Sequence, residues 1–436
     1  MPALEQLSHH INAVWTLAAA LFVYLMHAGF GFYEAGMCRR KNTVDTLSHN
    51  LIILAIAIVT FWLLGFGVLF GNGNTFMGLT GFAPNMELAS DHLYHALSSK
   101  PVALAVAFAF AMSFSDTSAT LIAGAGAERI KFIAVTTLAV LICGFVFPVA
   151  GHWAIGGGWL TKLATPFYDT GSGFIHLAGG AASLAVILML GPRKGRFEEG
   201  DDAFEPSSMP LVFLGAFILW MGFLGFNAGL AMEASKAIGL VILNTVLAGG
   251  FGTVVAMGGA WVLTGKAHLR TAVVGLLAAN VAVTSPSAVV EPWAAATIGV
   301  AAGLATLGSM RPWAWLHIDD PTEYLTMNLV GGVLGLAAVG LFASPRIVRQ
   351  YDITSGPQAG VFYGGGTEQL WTQLMAAGAI AAFALSITML ACLALRSIGW
   401  LRVSPEEEEE GSDKETHGEH AEEEEQSGED EKEPAP

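Results

Sequence analysis

The sequence predicts an all-α polytopic membrane protein: eleven transmembrane helices, N-terminus outside, C-terminus inside, and an inverted repeat of helices one to five and six to ten. Three observations carry this. First, 53% of the 436 residues are hydrophobic and only 13% are charged, against about 25% charged in soluble domains. Second, most of the net charge of -16 sits in one place. Residues 404–436 hold 16 of the 36 acids and 2 of the 20 bases, so the remaining body is nearly neutral. Third, eleven apolar segments are each long enough to cross about 30 Å of hydrocarbon.

In order, the segments are 11–37, 45–70, 101–126, 131–155, 172–191, 209–232, 237–263, 271–288, 292–310, 322–343 and 369–400. No Lys or Arg precedes Arg39, so the first segment lacks the basic start of a signal peptide and reads as a retained span. Segments eight and nine are parted only by a short Pro-bounded turn. The last is long enough to tilt or project. With the N-terminus outside, 15 Lys and Arg fall inside and 5 outside, as the positive-inside rule requires. Trp153, Trp159 and Trp371 fall near outer ends, and Trp313, Trp315 and Trp400 near inner ends, where interfacial rings belong. Gly, at 52 residues, suits closely packed membrane helices.

Two segments read alike: His176-Leu177-Ala178-Gly179-Gly180 and Asn328-Leu329-Val330-Gly331-Gly332. They open spans five and ten. An odd number of crossings separates them, so the copies run in opposite directions, and inverted repeats place a substrate path at their interface. His176 and Asn328 are then symmetry mates.

Ionisable groups at bilayer depth are costly and face a bundle interior or a water cavity. Glu34, His49 and Glu233 lie near span ends, where solvation is the expectation. His27 is mid-span and reads as a structural hydrogen-bonding group. Asp116 follows Phe114 by two residues, about 200° around the helix. If Phe114 faces a pore, Asp116 points away, to a structural pair or a subunit contact. His176 has no charged neighbour, and the residues alone leave a pore role and a structural role open. Phe110 with Phe114, and Phe223 with Phe226, are spaced to share a helix face. Such stripes pack cores or line a mouth where ring faces attract cations by about 0.5–2 kcal/mol.

Jointly, several stretches resemble the ammonium transporter family (the Amt/Mep/Rh superfamily, on its Amt side). They are His27-Ala28-Gly29-Phe30 to Arg40-Lys41-Asn42, Ala125-Gly126-Ala127-Glu128-Arg129-Ile130-Lys131-Phe132, Gly171-Ser172-Gly173 to His176, Gly225-Phe226-Asn227-Ala228-Gly229, and Asp319-Asp320-Pro321 followed by Asn328 to Gly332. The resemblance covers about residues 12–421. It implies homotrimers with one pore per subunit, in the cell membrane, taking up ammonium or ammonia. It assigns the gate to Phe114 and Phe226, which the family stacks, the outer vestibule to Phe110, and the first pore histidine to His176.

The chain departs from the family at the same site. Asn328 stands for the second pore histidine and cannot relay a proton. Ile155 stands for a vestibule tryptophan, with Trp153 two residues away. Phe223 replaces another vestibule tryptophan, and Leu230 replaces a vestibule serine. The acid before His176 is Asp169, one residue late, and is expected to cap span five. These changes predict weak cation recruitment and passage of neutral ammonia more than charge.

Residues 1–400 thus read as the transport domain and 401–421 as a cytoplasmic regulatory segment. That segment is expected on the inner face near Arg193, Lys194 and Arg196, where relatives communicate with PII-type signal proteins. Residues 422–436 read as a solvated acidic tail. The alternatives are a non-transporting ammonium sensor on the same fold, or a pore for another small neutral solute. Nucleic-acid binding is excluded by the lack of a basic patch. Cys38, Cys143 and Cys392 form no metal or disulfide pattern. No enzyme arrangement and no cofactor motif is evident.

Overall fold

The computed structural model describes residues 2–418 except 87–92, 99, 199–203 and 354. Among the described residues, eleven apolar helices cross between two faces: α1 Pro2–Met37, α2 Arg40–Phe70, α3 Leu104–Gly126, α4 from Phe132 to Ala154, α5 Ser172–Leu190, α6 Met209–Gly229, α7 Ile238–Thr264, α8 Leu269–Thr284, α9 Pro292–Trp315, α10 Leu325–Phe342 and α11 Glu368–Ser397. Among the described residues, the only β pairing is two isolated bridges. This is a multi-pass membrane protein.

Ten helices have the length and apolarity to span a membrane alone; α8, at 16 residues, is shorter. The sequence predicted a span to residue 288, but the helix stops at Thr284. Its end is tied to α5 instead. Ser172 Oγ donates to the Val281 carbonyl at 2.8 Å and accepts from the Ser285 amide at 2.9 Å. Nearly every residue of α8 is buried by protein, so it need not match the bilayer.

Turns near residues 38–42, 127–131, 191–198, 204–208, 265–268 and 316–324 share one face with residues 401–418, here the tail face. Residues 71–86, 93–98, 100–103, 155–171, 230–237, 285–291, 343–353 and 355–367 share the other, the mouth face. Pairs such as Arg193–Asp319 and Lys131–Leu401 join the first, and Arg346–Glu291 and Ser285–Asp169 join the second.

The polar residues inside the bundle are placed differently from the sequence expectation. Glu34 and His49 are not solvated: they are 0% and 2% exposed. Glu34 accepts from Tyr324 Oη and Asn50 Nδ2, each at 2.7 Å. His49 stacks on Phe132 at 5.5 Å. Hydrophobic neighbours from distant helices cover these ends, which segment boundaries do not show. Glu233 is exposed. Asp116 does turn from Phe114, to pair with His27 Nδ1 at 2.7 Å. His27 Nε2 donates to the Asn50 carbonyl at 2.7 Å.

Candidate functional site

The two repeat segments meet at the centre. A Cβ added at Gly180 of α5 would lie 2.5 Å from the Leu329 amide, and one at Gly332 of α10 would lie 2.6 Å from the Ser172 carbonyl. Each glycine lets the other helix's backbone approach. Both helices open with a π turn, Ser172–Leu177 and Leu325–Val330, a form common at functional sites. His176 sits in one and Asn328 in the other.

Asp169 holds the start of α5. Its carboxylate accepts from the amides of Gly171, Gly173 and Phe174 at 2.9, 3.1 and 2.8 Å, and from Ser285 Oγ. Gly171, at φ 127°, takes a backbone conformation closed to most side chains. That turn lets an acid one residue late still reach the helix end. Asp320 does the same for α10, accepting from the Leu325 amide at 2.8 Å.

His176 Nδ1 lies 2.9 Å from Asn328 Oδ1. Asn328 Nδ2 donates to the Tyr324 carbonyl at 3.3 Å, which turns the amide oxygen toward the ring. An amide oxygen only accepts, so His176 Nδ1 carries the hydrogen. Nε2 is then a lone-pair acceptor, and it is buried without a hydrogen-bond partner among the described residues.

Aromatic rings pack against the imidazole. Phe110 and Phe114 meet at 4.6 Å and 77°, and Phe114 meets Phe226 at 4.6 Å and 61°. Phe114 and Phe226, expected to stack as a gate, pack edge to face instead, as aromatic quadrupoles favour. Phe226 is 5.3 Å from His176. Phe223 is not at the mouth: its ring stacks on His176 at 5.4 Å and 26°. α6 runs from the tail face to the mouth, so a ring one turn before Phe226 lies deeper. Trp153 faces Phe76, Trp159 and Phe383, and its Nε1 donates to the Phe76 carbonyl at 2.8 Å. It packs toward α11 and the loop after α2, not on the gate rings. Ile155 and Leu230, both half-buried, terminate α4 and α6 at the mouth face.

The profile of the Ammonium Transporter Family matches residues 14–422. The chain belongs to this family. It is 32% identical to the ammonium transporter Amt2 of Archaeoglobus fulgidus, over 92% of this chain and 86% of that one. It is 32% identical to ammonium transporter 3 of Dictyostelium discoideum, over 94% of each. Among solved structures, one described as a sensor Amt protein superposes with a TM-score of 0.85 at 31% identity, covering 95% of this chain and 100% of that one. Mep2 of Candida albicans superposes at 0.81 and 26%, covering 91% and 87%.

In this ammonium transporter family member the tail face is held by a buried ion cluster. Arg193 Nε is 2.9 Å from Asp319, and its Nη1 bonds Glu128. Arg39 also bonds Glu128, and Arg129 donates to the Asp319 carbonyl at 2.7 Å. Phe204 lies under the guanidinium groups of Arg39 and Arg193 at 4.7 and 4.9 Å. Burial works against ionising Asp319 and Glu128, but the Arg193 charge outweighs it and holds both carboxyls below their ordinary range.

Residues 401–418 dock here. The Lys131 amide donates to the Leu401 carbonyl and the Val403 amide to the Arg129 carbonyl, both at 3.1 Å. Lys194 bonds Glu408 and Glu409, while Lys41 Nζ donates to the Glu408 carbonyl at 2.9 Å. His417 Nε2 is 3.0 Å from Asp45 Oδ1. Lys194 meets the tail as expected. Arg193 and Arg196 both engage Asp319. The rest of the regulatory segment and the acidic tail, 419–436, lie outside the described residues. Sequence reasoning missed the Glu34–Tyr324 pair and the depth of Phe223. The first joins residues 290 positions apart, with no local signal; the second follows from the direction of α6.

Proposed function

We propose that the chain is a channel-like transporter of the cell membrane that passes ammonia through a narrow pore in each subunit of a homotrimer. The N-terminus lies outside and the tail face inside, in keeping with the Lys and Arg bias. Residues 1–400 transport, 401–421 regulate, possessing a surface for a PII-type signal protein, and 422–436 form the acidic tail. One observation carries the reading: among the described residues His176 offers a buried, unfilled acceptor, Nε2, on an imidazole packed against the uncharged rings of Phe223 and Phe226.

A bare cation at the bilayer centre costs at least about 3 kcal/mol. Ring faces at Phe110 can attract ammonium at the mouth, but the Phe223 and Phe226 rings packed on His176 carry no charge to compensate it. Ammonia, as a hydrogen-bond donor, matches the Nε2 lone pair. Asn328 keeps the Nδ1 hydrogen in place and offers no proton of its own, so charge has no His–His relay to follow. Leu230 supplies no hydroxyl to a recruited cation. In proteoliposomes, an inward ammonium gradient is expected to raise internal pH faster than in empty vesicles. Equal rates would exclude transport.

A second reading, an ammonium sensor without flux, has one observation in its favour: the close superposition on the sensor Amt structure. That reading expects ammonium-dependent change at the tail face and no internal pH rise. A pore for another small neutral solute would conduct that solute and leave ammonium gradients undissipated.

A further inference from the structure

Glu34 is a carboxyl group within the membrane span α1, 0% exposed, and it forms no ion pair among the described residues. It is joined to the His176 site through Tyr324, whose carbonyl and hydroxyl take separate hydrogen bonds. His176 Nδ1 bonds Asn328 Oδ1, Asn328 Nδ2 bonds the Tyr324 carbonyl, Tyr324 Oη bonds Glu34 Oε1, and Asn50 Nδ2 bonds Glu34 Oε2. The place is built closely. A Cβ at Gly124 of α3 would come within 2.4 Å of the Tyr324 ring and 2.9 Å of Glu34 Oε1. Tyr33 stacks on Tyr324 at 5.9 Å, Phe30 meets its edge at 6.1 Å, and Tyr33 Oη donates to the Thr322 carbonyl at 2.8 Å. Tyr324 lies four residues before Asn328, on the same side of α10 and one turn nearer the tail face. Glu323 and Thr326, on either side of Tyr324, line a tail-face cavity of about 510 Å³ with Arg196, Arg270, Trp313 and Asp320.

We propose that Glu34 is the proton donor of the inner half-pore, acting through the Tyr324 hydroxyl on ammonia that has passed Asn328. This rests on the transport reading above and names the residues that complete it. With Glu34 protonated, its O–H points to Tyr324 Oη, and the phenolic hydrogen turns toward the pore; hydroxyl hydrogens rotate to suit their partners. Ammonia then takes the phenolic hydrogen: an N–H bond forms as the Tyr324 O–H bond breaks. The phenolic oxygen takes the hydrogen of Glu34 in the same event. Ammonia and a carboxylic acid become ammonium and a carboxylate, and Tyr324 is unchanged. Ammonium leaves through the cavity, and a proton from cytosolic water restores Glu34. That proton comes from the inner side, so no net charge crosses the membrane.

Two arms test the proposal. In proteoliposomes, Glu34→Gln and Tyr324→Phe are compared with the unmodified chain. Gln keeps partners for Asn50 and Tyr324 and cannot donate an acid proton. Each variant is expected to lower ammonia flux about tenfold and to lose the dependence of flux on internal pH. Wild-type flux with an unchanged internal-pH profile in Glu34→Gln would overturn the proposal. Infrared difference spectra of the purified full chain form the second arm and need no flux. Adding ammonium chloride at fixed pH is expected to bleach a carboxylic C=O band that Glu34→Gln lacks. The absence of any Glu34-dependent band would overturn the proposal even if the protein transports. If the unmodified chain moves no ammonia, the transport reading fails, and the band alone decides whether Glu34 yields a proton to ammonium's conjugate base.

Discussion

An imidazole and an amide share one hydrogen bond at the centre of this bundle, and the amide decides what the imidazole can do. Asn328 is fixed by the Tyr324 carbonyl, which orients its oxygen to His176 Nδ1 and leaves Nε2 open. A pair of imidazoles could exchange which nitrogen holds the proton; an amide cannot. The mouth shows a similar loss at Leu230. Restoring a hydroxyl there with Leu230→Ser adds one ligand for the cation, worth about 1 kcal/mol. The half-saturating ammonium concentration for flux is expected to fall about fivefold, with the maximal rate little changed. An unchanged concentration dependence would mean that residue 230 does not meet the solute. Much of this site was legible in the sequence. His176 and Asn328 stood out through the repeat, and Phe110, Phe114 and Phe226 through helical spacing. Phe223 stood out beside Phe226, but its depth was not legible, because that depends on which way α6 runs past α5. The burial of Glu34 was not legible either, because its partners come from α2 and α10.

At the scale of elements, α5 and α10 depend on special beginnings. Each starts in a π turn under an acid, Asp169 or Asp320, whose oxygens accept backbone amides that no helix turn can satisfy. Asp169 accepts three such amides. Asp169→Ala is expected to destabilise the protein by about 2–4 kcal/mol, read as a lower melting temperature in detergent, and to loosen His176, two residues beyond the last amide that Asp169 accepts. A variant with unchanged melting would show that the amides find other partners. Span number and order could be derived from hydropathy because apolar length is set by the bilayer. The length of α8 could not, since a helix enclosed by protein is released from that constraint. Nor could the edge-to-face gate, which depends on packing between α3 and α6 rather than on spacing within either.

At the scale of the whole molecule, the tail face is the electrostatic anchor. Arg193 joins Glu128 of the α3–α4 turn to Asp319 of the α9–α10 turn, so one guanidinium ties distant parts of the chain together. The Asp319 and Glu128 carboxyls are held below their ordinary range, so their contribution is fully present above the unfolded value, about 4, and is lost only as pH falls below it. Asp320 behaves oppositely. Burial pushes it up to about 6. Between about pH 4 and 6 the folded state therefore keeps a proton that the unfolded chain has released, and stability falls as pH rises through that window. Asp320→Asn retains an acceptor for the Leu325 amide and removes the titration. Its melting temperature is expected to decline less than that of the unmodified chain between pH 4.5 and 7.5. Identical slopes would exclude Asp320 as the cause. The sequence located this anchor only coarsely: it placed the bases on one side, but a charge count cannot tell that Arg193 and Arg196 engage Asp319 while Lys194 meets the tail.

The central claim is that nitrogen crosses as ammonia without accompanying charge, because His176 faces an amide. The most direct measurement is the current evoked by an ammonium pulse on proteoliposomes, recorded beside internal pH, for the unmodified chain and for Asn328→His. The account predicts internal alkalinisation without a transient current in the unmodified chain, and a current once the second imidazole is present. A large current in the unmodified chain would contradict it.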